Sequence, residues 1–216
     1  MKRIAPFLSL LIVIVCSSSC VTAPHFAGTI QNNIYTPSSN NYTVPIPVSA
    51  GLGGRIQDST NMVIFIDDFG SLFRIETWVL SNEDMQITHS LDRQKYLGTM
   101  LKAFYLPSTI LRAIPSATIA HQEWHPEFHG GTLYTEVTMP GGSINSVSVN
   151  GAPPVKEDTA RGLLLFVEGN SLCIVSTALS CIKKSDESAM ERENRTRPLL
   201  HQTTVDFAMT IAFKMN

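Results

Sequence analysis

Paired β-rich runs around glycine-containing turns, separated by helical stretches, constrain the fold of this chain more than any other feature. Each pair brackets a short polar segment, as expected of antiparallel β-hairpins. The pairs are residues 62–67 with 72–79, 117–124 with 132–139, and 161–167 with 172–177. Asn41–Val48 adds an early strand, and its prolines Pro45 and Pro47 suit a sheet edge because proline cannot donate to a ladder.

Two stretches have helical spacing instead. Apolar residues recur at intervals of three and four within Leu91–Ile114, and Pro107 is expected to end or kink that helix. A closing amphipathic helix is predicted over Leu199–Phe213, with Pro198 near its start. Strands in hairpins separated by helices predict an α+β fold, in which a central and a C-terminal helix pack on an antiparallel sheet of six to seven strands.

The order of these segments resembles the Mog1/PsbP-like α/β sandwich group. The segments that carry the resemblance are Tyr42–Pro47, Met62–Asp67, the central helix, Leu133–Glu136, Arg161–Asn170 and Phe207–Phe213. Members of that group mostly act as binding or assembly partners rather than as catalysts. The resemblance therefore implies a protein-binding role and brings no catalytic residue with it.

The first residues have the order of an export signal. Lys2 and Arg3 precede an apolar run over Phe7–Val15, and three serines and Cys20 follow. The apolar stretch is shorter than the roughly 20 residues that a membrane-spanning helix needs. Residues 1–19 are predicted to be a signal peptide, residues 20–40 a flexible tether rich in Ser, Asn, Thr and Pro, and residues 41–216 a single domain.

Two fates of the leader remain open. Ser17-Ser18-Ser19-Cys20 resembles a bacterial lipobox, although Ser17 stands where leucine is usual, and it makes Cys20 a lipidation site. The alternative is a soluble-type cut after Ser19 or Ala23, with Cys20 an ordinary residue. If Cys20 is lipidated, Val21 at the next position is expected to direct the protein to the outer membrane, where it would face the periplasm.

Charge and cysteine content limit the possible partners. Removing Lys2 and Arg3 from 16 basic residues leaves 14 against 18 acidic ones, a net charge of −4. Nucleic-acid binding is not expected, since phosphate recognition needs a basic surface. The mature chain beyond Cys20 keeps Cys173 and Cys181, which either pair in an oxidising envelope or remain a buried thiol and a free thiol.

A histidine-rich strand offers the best candidate site. Strand alternation places His121, Glu123 and His125 on one face, and His129 is expected to return to that face from the next turn. Two imidazoles and a carboxylate are typical ligands of a zinc-like ion. The alternative is a polar strand face with solvated histidines. The spacing is not that of a helical HExxH site.

These observations predict a non-enzymatic lipoprotein of the cell envelope that docks on a protein or a membrane-associated complex, anchored in the membrane by its lipid. The chain shows no plausible catalytic set, and Arg74 with Glu76 predicts only a structural ion pair on a strand face. One alternative function is a metal-binding protein or metal-dependent hydrolase that uses His121, Glu123 and His125. Another is a carrier of a small apolar ligand between sheet and helix.

Overall fold

A computed structural model describes residues 27–90, 92–142, 146–147, 155–180 and 188–214. The predicted signal peptide, Cys20, the start of the predicted tether and Cys181 lie outside these ranges. Within them no helix is long and apolar enough to cross a bilayer.

Thirteen strands are found among the described residues. They are β1 (Thr29–Gln31), β2 (Ile34–Thr36), β3 (Tyr42–Pro45), β4 (Arg55–Ser59), β5 (Met62–Ile66), β6 (Leu72–Val79), β7 (Thr118–His125), β8 (Thr132–Met139), β9 (Ser146–Val147), β10 (Val155–Lys156), β11 (Thr159–Glu168), β12 (Ser171–Ser180) and β13 (Ala212–Phe213). The helices are α1 (Asn82–Ser90), α2 (Arg93–Thr99), a π-helical segment (Met100–Leu111) that continues α2, and α3 (Ala189–Met209).

A seven-stranded antiparallel sheet with the order β4-β5-β6-β12-β11-β8-β7 forms the centre of the fold. The three predicted hairpins are all present in it as β5–β6, β7–β8 and β11–β12. Glu168 pairs with Ser171 at the end of β11–β12, and Gly169 in the two-residue loop has φ +57°, which favours glycine. The predicted α+β class with an antiparallel sheet is confirmed.

Apolar side chains cover both faces of this sheet. On one face, residues of α2 and the π-helical segment such as Leu97, Leu101 and Ile110 pack on Leu163 and Ile174. On the opposite face, α3 and a small sheet with the order β1-β2-β3-β13 pack on a second core; that core includes Phe65, Tyr134, Phe166, Val175 and Phe207. The sheet is therefore the middle of three layers, which explains the nearly continuous burial of β11 and β12.

The ordered domain begins earlier than the predicted boundary at residue 41. Strands β1 and β2 lie within the predicted tether 20–40, and Asn32 and Asn33 form the turn between them with φ +51° and +61°. Tyr35 is fully buried, contacts Phe65 edge-on at 5.9 Å between ring centroids and donates a hydrogen bond to Asp58. This burial shows that the tether prediction is wrong for residues 29–36.

The helices also differ from their predicted bounds. Pro107 lies inside the π-helical segment and does not end the helix. The C-terminal helix begins at Ala189 rather than 199, so Pro198 lies in its interior, and β13 replaces its predicted last turn. The early start has a local cause: the Ser188 hydroxyl and the Glu191 carboxylate cap each other's backbone amides in a capping box.

Candidate functional site

The predicted histidine face is present on strand β7. A β-bulge between Ile119 and His121 shifts the register, so Ile119 faces the core beneath the π-helical segment whereas His121 faces α3. His121, Glu123 and His125 then share that face: the Oε2 atom of Glu123 lies 3.4 Å from Nε2 of His121 and 3.9 Å from Nε2 of His125. The sequence correctly predicted that these three side chains meet.

Helix α3 adds a residue that sequence analysis missed. The donor atoms of Glu123, His125 and His201 all lie within 4.8 Å of one another, and the two imidazole centroids are 5.6 Å apart. The Tyr134 ring contacts His201 edge-on at 4.6 Å. Helical spacing could have placed His201 on the buried face of α3, next to Leu200 and Thr204, but no sequence pattern pairs that face with β7.

The surroundings favour the neutral form of His201. Burial lowers its pKa below the ordinary value, and the neighbouring His125 lowers it further. The imidazole therefore keeps an unprotonated nitrogen at neutral pH. Glu127, in contrast, has its pKa lowered, first by a hydrogen bond from its own backbone amide and then by His125, so its carboxylate is charged beside the imidazole.

His129 does not join this cluster. Its ring stacks on Phe166 at 4.2 Å with an interplanar angle of 13°, and its Nδ1 lies 2.9 Å from the Glu168 carboxylate. These contacts hold it at the turn that follows β7. The expectation that His129 returns to the strand face is wrong, because Glu168 and Phe166 hold its ring.

The opposite side of the sheet contains a buried ionic network. Arg74 Nε lies 2.8 Å from Glu76 Oε1, which confirms the predicted pair, and the Tyr105 hydroxyl donates to the same oxygen at 2.7 Å. Glu76 is only 6% exposed. Burial and the nearby Glu76 carboxylate raise the pKa of Tyr105, so its hydroxyl remains a donor. Arg161 is a second half-buried cation of this region, and burial lowers its pKa.

Strand β7 is also an open edge of the central sheet. Among the described strands it pairs with β8 alone. A groove of about 620 Å³ runs between this edge and the helical layer, lined on the helix side by Lys95, Gly98 and Lys102 and on the strand side by Gln122 and Trp124. A Cβ atom added at Gly98 would meet no atom within 4 Å, so the groove is open above this residue.

The other edge of the sheet is more covered. Strand β4 is five residues long, and the backbone amides of Ala27 and Gly28 donate to Asp58 on it at 3.1 and 2.8 Å. The buried Tyr35 hydroxyl donates to the same carboxylate at 2.9 Å. The N-terminal segment therefore lies beside β4, and β7 is the longer of the two edges.

One cysteine of the predicted Cys173–Cys181 disulfide lies in the central sheet. Cys173 is a buried thiol in β12, and burial raises its pKa to about 12. Cys181 lies outside the described residues, so its pairing with Cys173 stays a prediction.

The predicted apolar ligand site between sheet and helix is not found beneath α3. The space between the sheet and α3, bordered by Leu164, Phe166 and Val205, amounts to about 10 Å³. A cavity of this size holds at most a single water molecule. The packing of α3 on β11 therefore leaves no room for a carried ligand there.

Two solved structures align with most of this chain. The Saccharomyces cerevisiae Ran-binding protein Mog1p aligns over 86% of this chain and 96% of its own length, at 9% identity and a TM-score of 0.49. A protein of Bacteroides thetaiotaomicron VPI-5482 aligns over 87% of this chain at 12% identity and a TM-score of 0.41, and this chain spans 50% of that protein. No protein-family model and no curated protein matches the chain.

Proposed function

We propose that this protein is a non-catalytic docking component of the bacterial cell envelope, and that the open edge of β7 receives an extended segment of a protein partner. The observation that carries the proposal is the juxtaposition of an eight-residue edge strand with a 620 Å³ groove. An added strand would use main-chain hydrogen bonds for affinity, and the groove would receive its alternate side chains.

The residues beside the edge suit such an occupant. Thr118 and Ala120 are small and exposed on β7, so a second backbone can approach the strand. Prolines and lysines are two devices that protect sheet edges, and β7 contains neither, although a β-bulge interrupts its start before His121. The groove lining contains the exposed cations Lys95 and Lys102 and the exposed acids Asp92 and Glu123, so it favours a segment with side chains of both charges.

The envelope location is supported by the sequence. The leader with Lys2 and Arg3, the lipobox-like Ser17–Cys20 and Val21 together favour an outer-membrane lipoprotein anchored through Cys20. Because strand β1 begins at Thr29, the proposed tether is shorter than the sequence suggested and ends before this residue. The docking edge would then work close to the membrane surface.

Fractionation tests the anchor. The full-length protein should sediment with outer membranes and incorporate labelled palmitate, whereas a Cys20→Ser variant should do neither. Uncleaved full-length protein in the cytosol would contradict the envelope location and the docking role with it.

Substitutions at Gly98 test the docking groove without loss of folding. Gly98 lies in α2, and leucine is a better helix former than glycine, so Gly98→Leu should raise stability by up to about 1 kcal/mol. The leucine side chain would nevertheless fill the groove, whereas the matched Gly98→Ala variant would leave most of the groove open.

The assay is affinity purification of each tagged variant from crosslinked membranes. A partner recovered with the wild type and Gly98→Ala, but lost with Gly98→Leu, supports docking at β7. Equal recovery with all three proteins, or no reproducible partner of the wild type, would refute it.

A further inference from the structure

The interface between β7 and α3 brings together Glu123, His125 and His201, of which only Glu123 also lines the groove beside β7. Glu123 and His125 come from the strand, and His201 comes from the helix 76 residues further along the chain than His125. Their donor atoms lie within 4.8 Å of one another, with His125 Nε2 3.9 Å from Glu123 Oε2. Each residue offers a donor that suits a zinc-class cation.

Both imidazoles have a buried nitrogen without a partner. The Nε2 atoms of His125 and His201 are inaccessible to solvent and make no hydrogen bond to any part of the chain that the structure describes. Buried polar atoms are nearly always satisfied in folded proteins, and a bound ion is one explanation for two unsatisfied nitrogens in the same cluster. A cation between the two rings would supply a partner to both.

A second set of contacts orients the donors. The Nδ1 atom of His125 lies 3.2 Å from the Glu127 carboxylate, which leaves Nε2 as the lone-pair nitrogen that points toward Glu123. This carboxylate–histidine arrangement is typical of metal ligands. His121 contacts the same Glu123 oxygen at 3.4 Å and helps to fix its position without belonging to the trio.

Contacts around the cluster hold α3 on strands β8 and β12 of the sheet that contains β7. Arg197 Nε donates to Glu136 at 3.2 Å one helical turn before His201, and the hydroxyls of Thr204 and Thr177 are 2.6 Å apart on the other side. Aromatic rings of Phe128 and Tyr134 flank the two imidazoles edge-on. The two histidines are thus positioned by contacts that do not depend on a metal.

We propose that Glu123, His125 and His201 form a binding site for a zinc-class divalent cation that ties α3 to β7. A tetrahedral zinc ion needs donor atoms about 3.4 Å apart, so the present donors must approach by about 1 Å. Glu123 can supply this movement because its side chain is 51% exposed. Three protein ligands leave a fourth position for water.

Titration of the full chain with Zn²⁺ after removal of metal by a chelator tests the site. Calorimetry and elemental analysis should give a single ion per chain, and Zn²⁺ should raise the Tm. Loss of a ligand in His201→Gln or His125→Gln should weaken binding at least about 100-fold, since even residues that only orient ligands contribute about 10- to 100-fold. Glu127→Gln removes only a contact that orients His125, so it should weaken Zn²⁺ binding by about 10- to 100-fold.

His129→Gln is the matched control, because it removes a nearby histidine that Phe166 and Glu168 hold away from the trio. It should retain Zn²⁺ binding within a few-fold of the wild type. If a histidine variant does not fold, the exposed Glu123→Gln substitution provides the same test with the core untouched. Absence of stoichiometric Zn²⁺ binding by the wild type, or loss of binding in His129→Gln but not in His201→Gln, would overturn the proposal.

Discussion

Replacing Tyr105 by phenylalanine tests how the buried ionic network stabilises the fold. The Tyr105 hydroxyl is fully buried and donates at 2.7 Å to Glu76, a charged residue that is itself 6% exposed. A hydrogen bond to a charged group contributes about 1.5 to 3 kcal/mol. Glu76 keeps its contact with Arg74, so we expect Tyr105→Phe to cost an amount within this range.

The chain offers a matched control in Tyr134. This tyrosine is equally buried, on the opposite face of the same sheet, but its hydroxyl has no hydrogen-bond partner among the described residues. Tyr134→Phe removes the same oxygen atom without removing a hydrogen bond. We therefore expect it to leave the free energy of unfolding unchanged or to raise it slightly.

Thermal and urea unfolding of both variants measure the difference. In a domain of this size about 1 kcal/mol shifts the Tm by about 2 to 4 °C, so Tyr105→Phe should lower the Tm by about 3 to 12 °C. Tyr134→Phe should lie within about 1 °C of the wild type or above it. If the two variants lose equal stability, the loss reflects burial of the ring alone, and the argument for the Glu76 hydrogen bond is refuted.

Three further predictions concern single positions in the core and the helices. Gly98→Ala should raise the free energy of unfolding by about 0.5 to 1 kcal/mol, because the new Cβ meets no atom and alanine favours the helix; a loss of stability in urea unfolding would contradict the open groove. Gly162→Ala should cost about 1 to 3 kcal/mol, because its Cβ would lie 2.3 Å from Thr204 Oγ1 between β11 and α3; an unchanged Tm would show that α3 packs less closely. Cys173, whose pKa burial raises to about 12, should resist iodoacetamide at pH 8 until the protein is unfolded in guanidinium, with peptide mass spectrometry as the assay. Fast modification of the folded protein would contradict its burial.

The central hairpins were predictable because their signals are local. Gly169 lies between two long β-rich runs, and the turn that it forms depends only on residues next to it in the sequence. The face shared by His121, Glu123 and His125 was predictable for the same reason, since strand alternation depends on neighbouring residues alone. The β-bulge of β7 lies before His121, so His121, Glu123 and His125 still alternate regularly along the strand and share one face.

Features that depend on distant contacts were not predictable. Strand β2 has a polar, tether-like sequence around it, and only the burial of Tyr35 against Phe65 and Asp58 makes it part of the domain. His201 could not be assigned to the cluster because the pairing of α3 with β7 is a tertiary contact. The π-helical segment around Pro107 likewise follows no period that sequence patterns detect.

Site-specific photocrosslinking in intact membranes tests the docking edge most directly. A photoreactive phenylalanine analogue at Lys102, in the groove beside β7, should give a discrete crosslinked product, whereas the same analogue at Gln57 on the opposite edge should give none. Gly98→Leu should abolish the Lys102 product, because its side chain fills the groove. Equal crosslinking from both edges, or a Lys102 product that survives Gly98→Leu, would contradict the proposal that a partner occupies this groove.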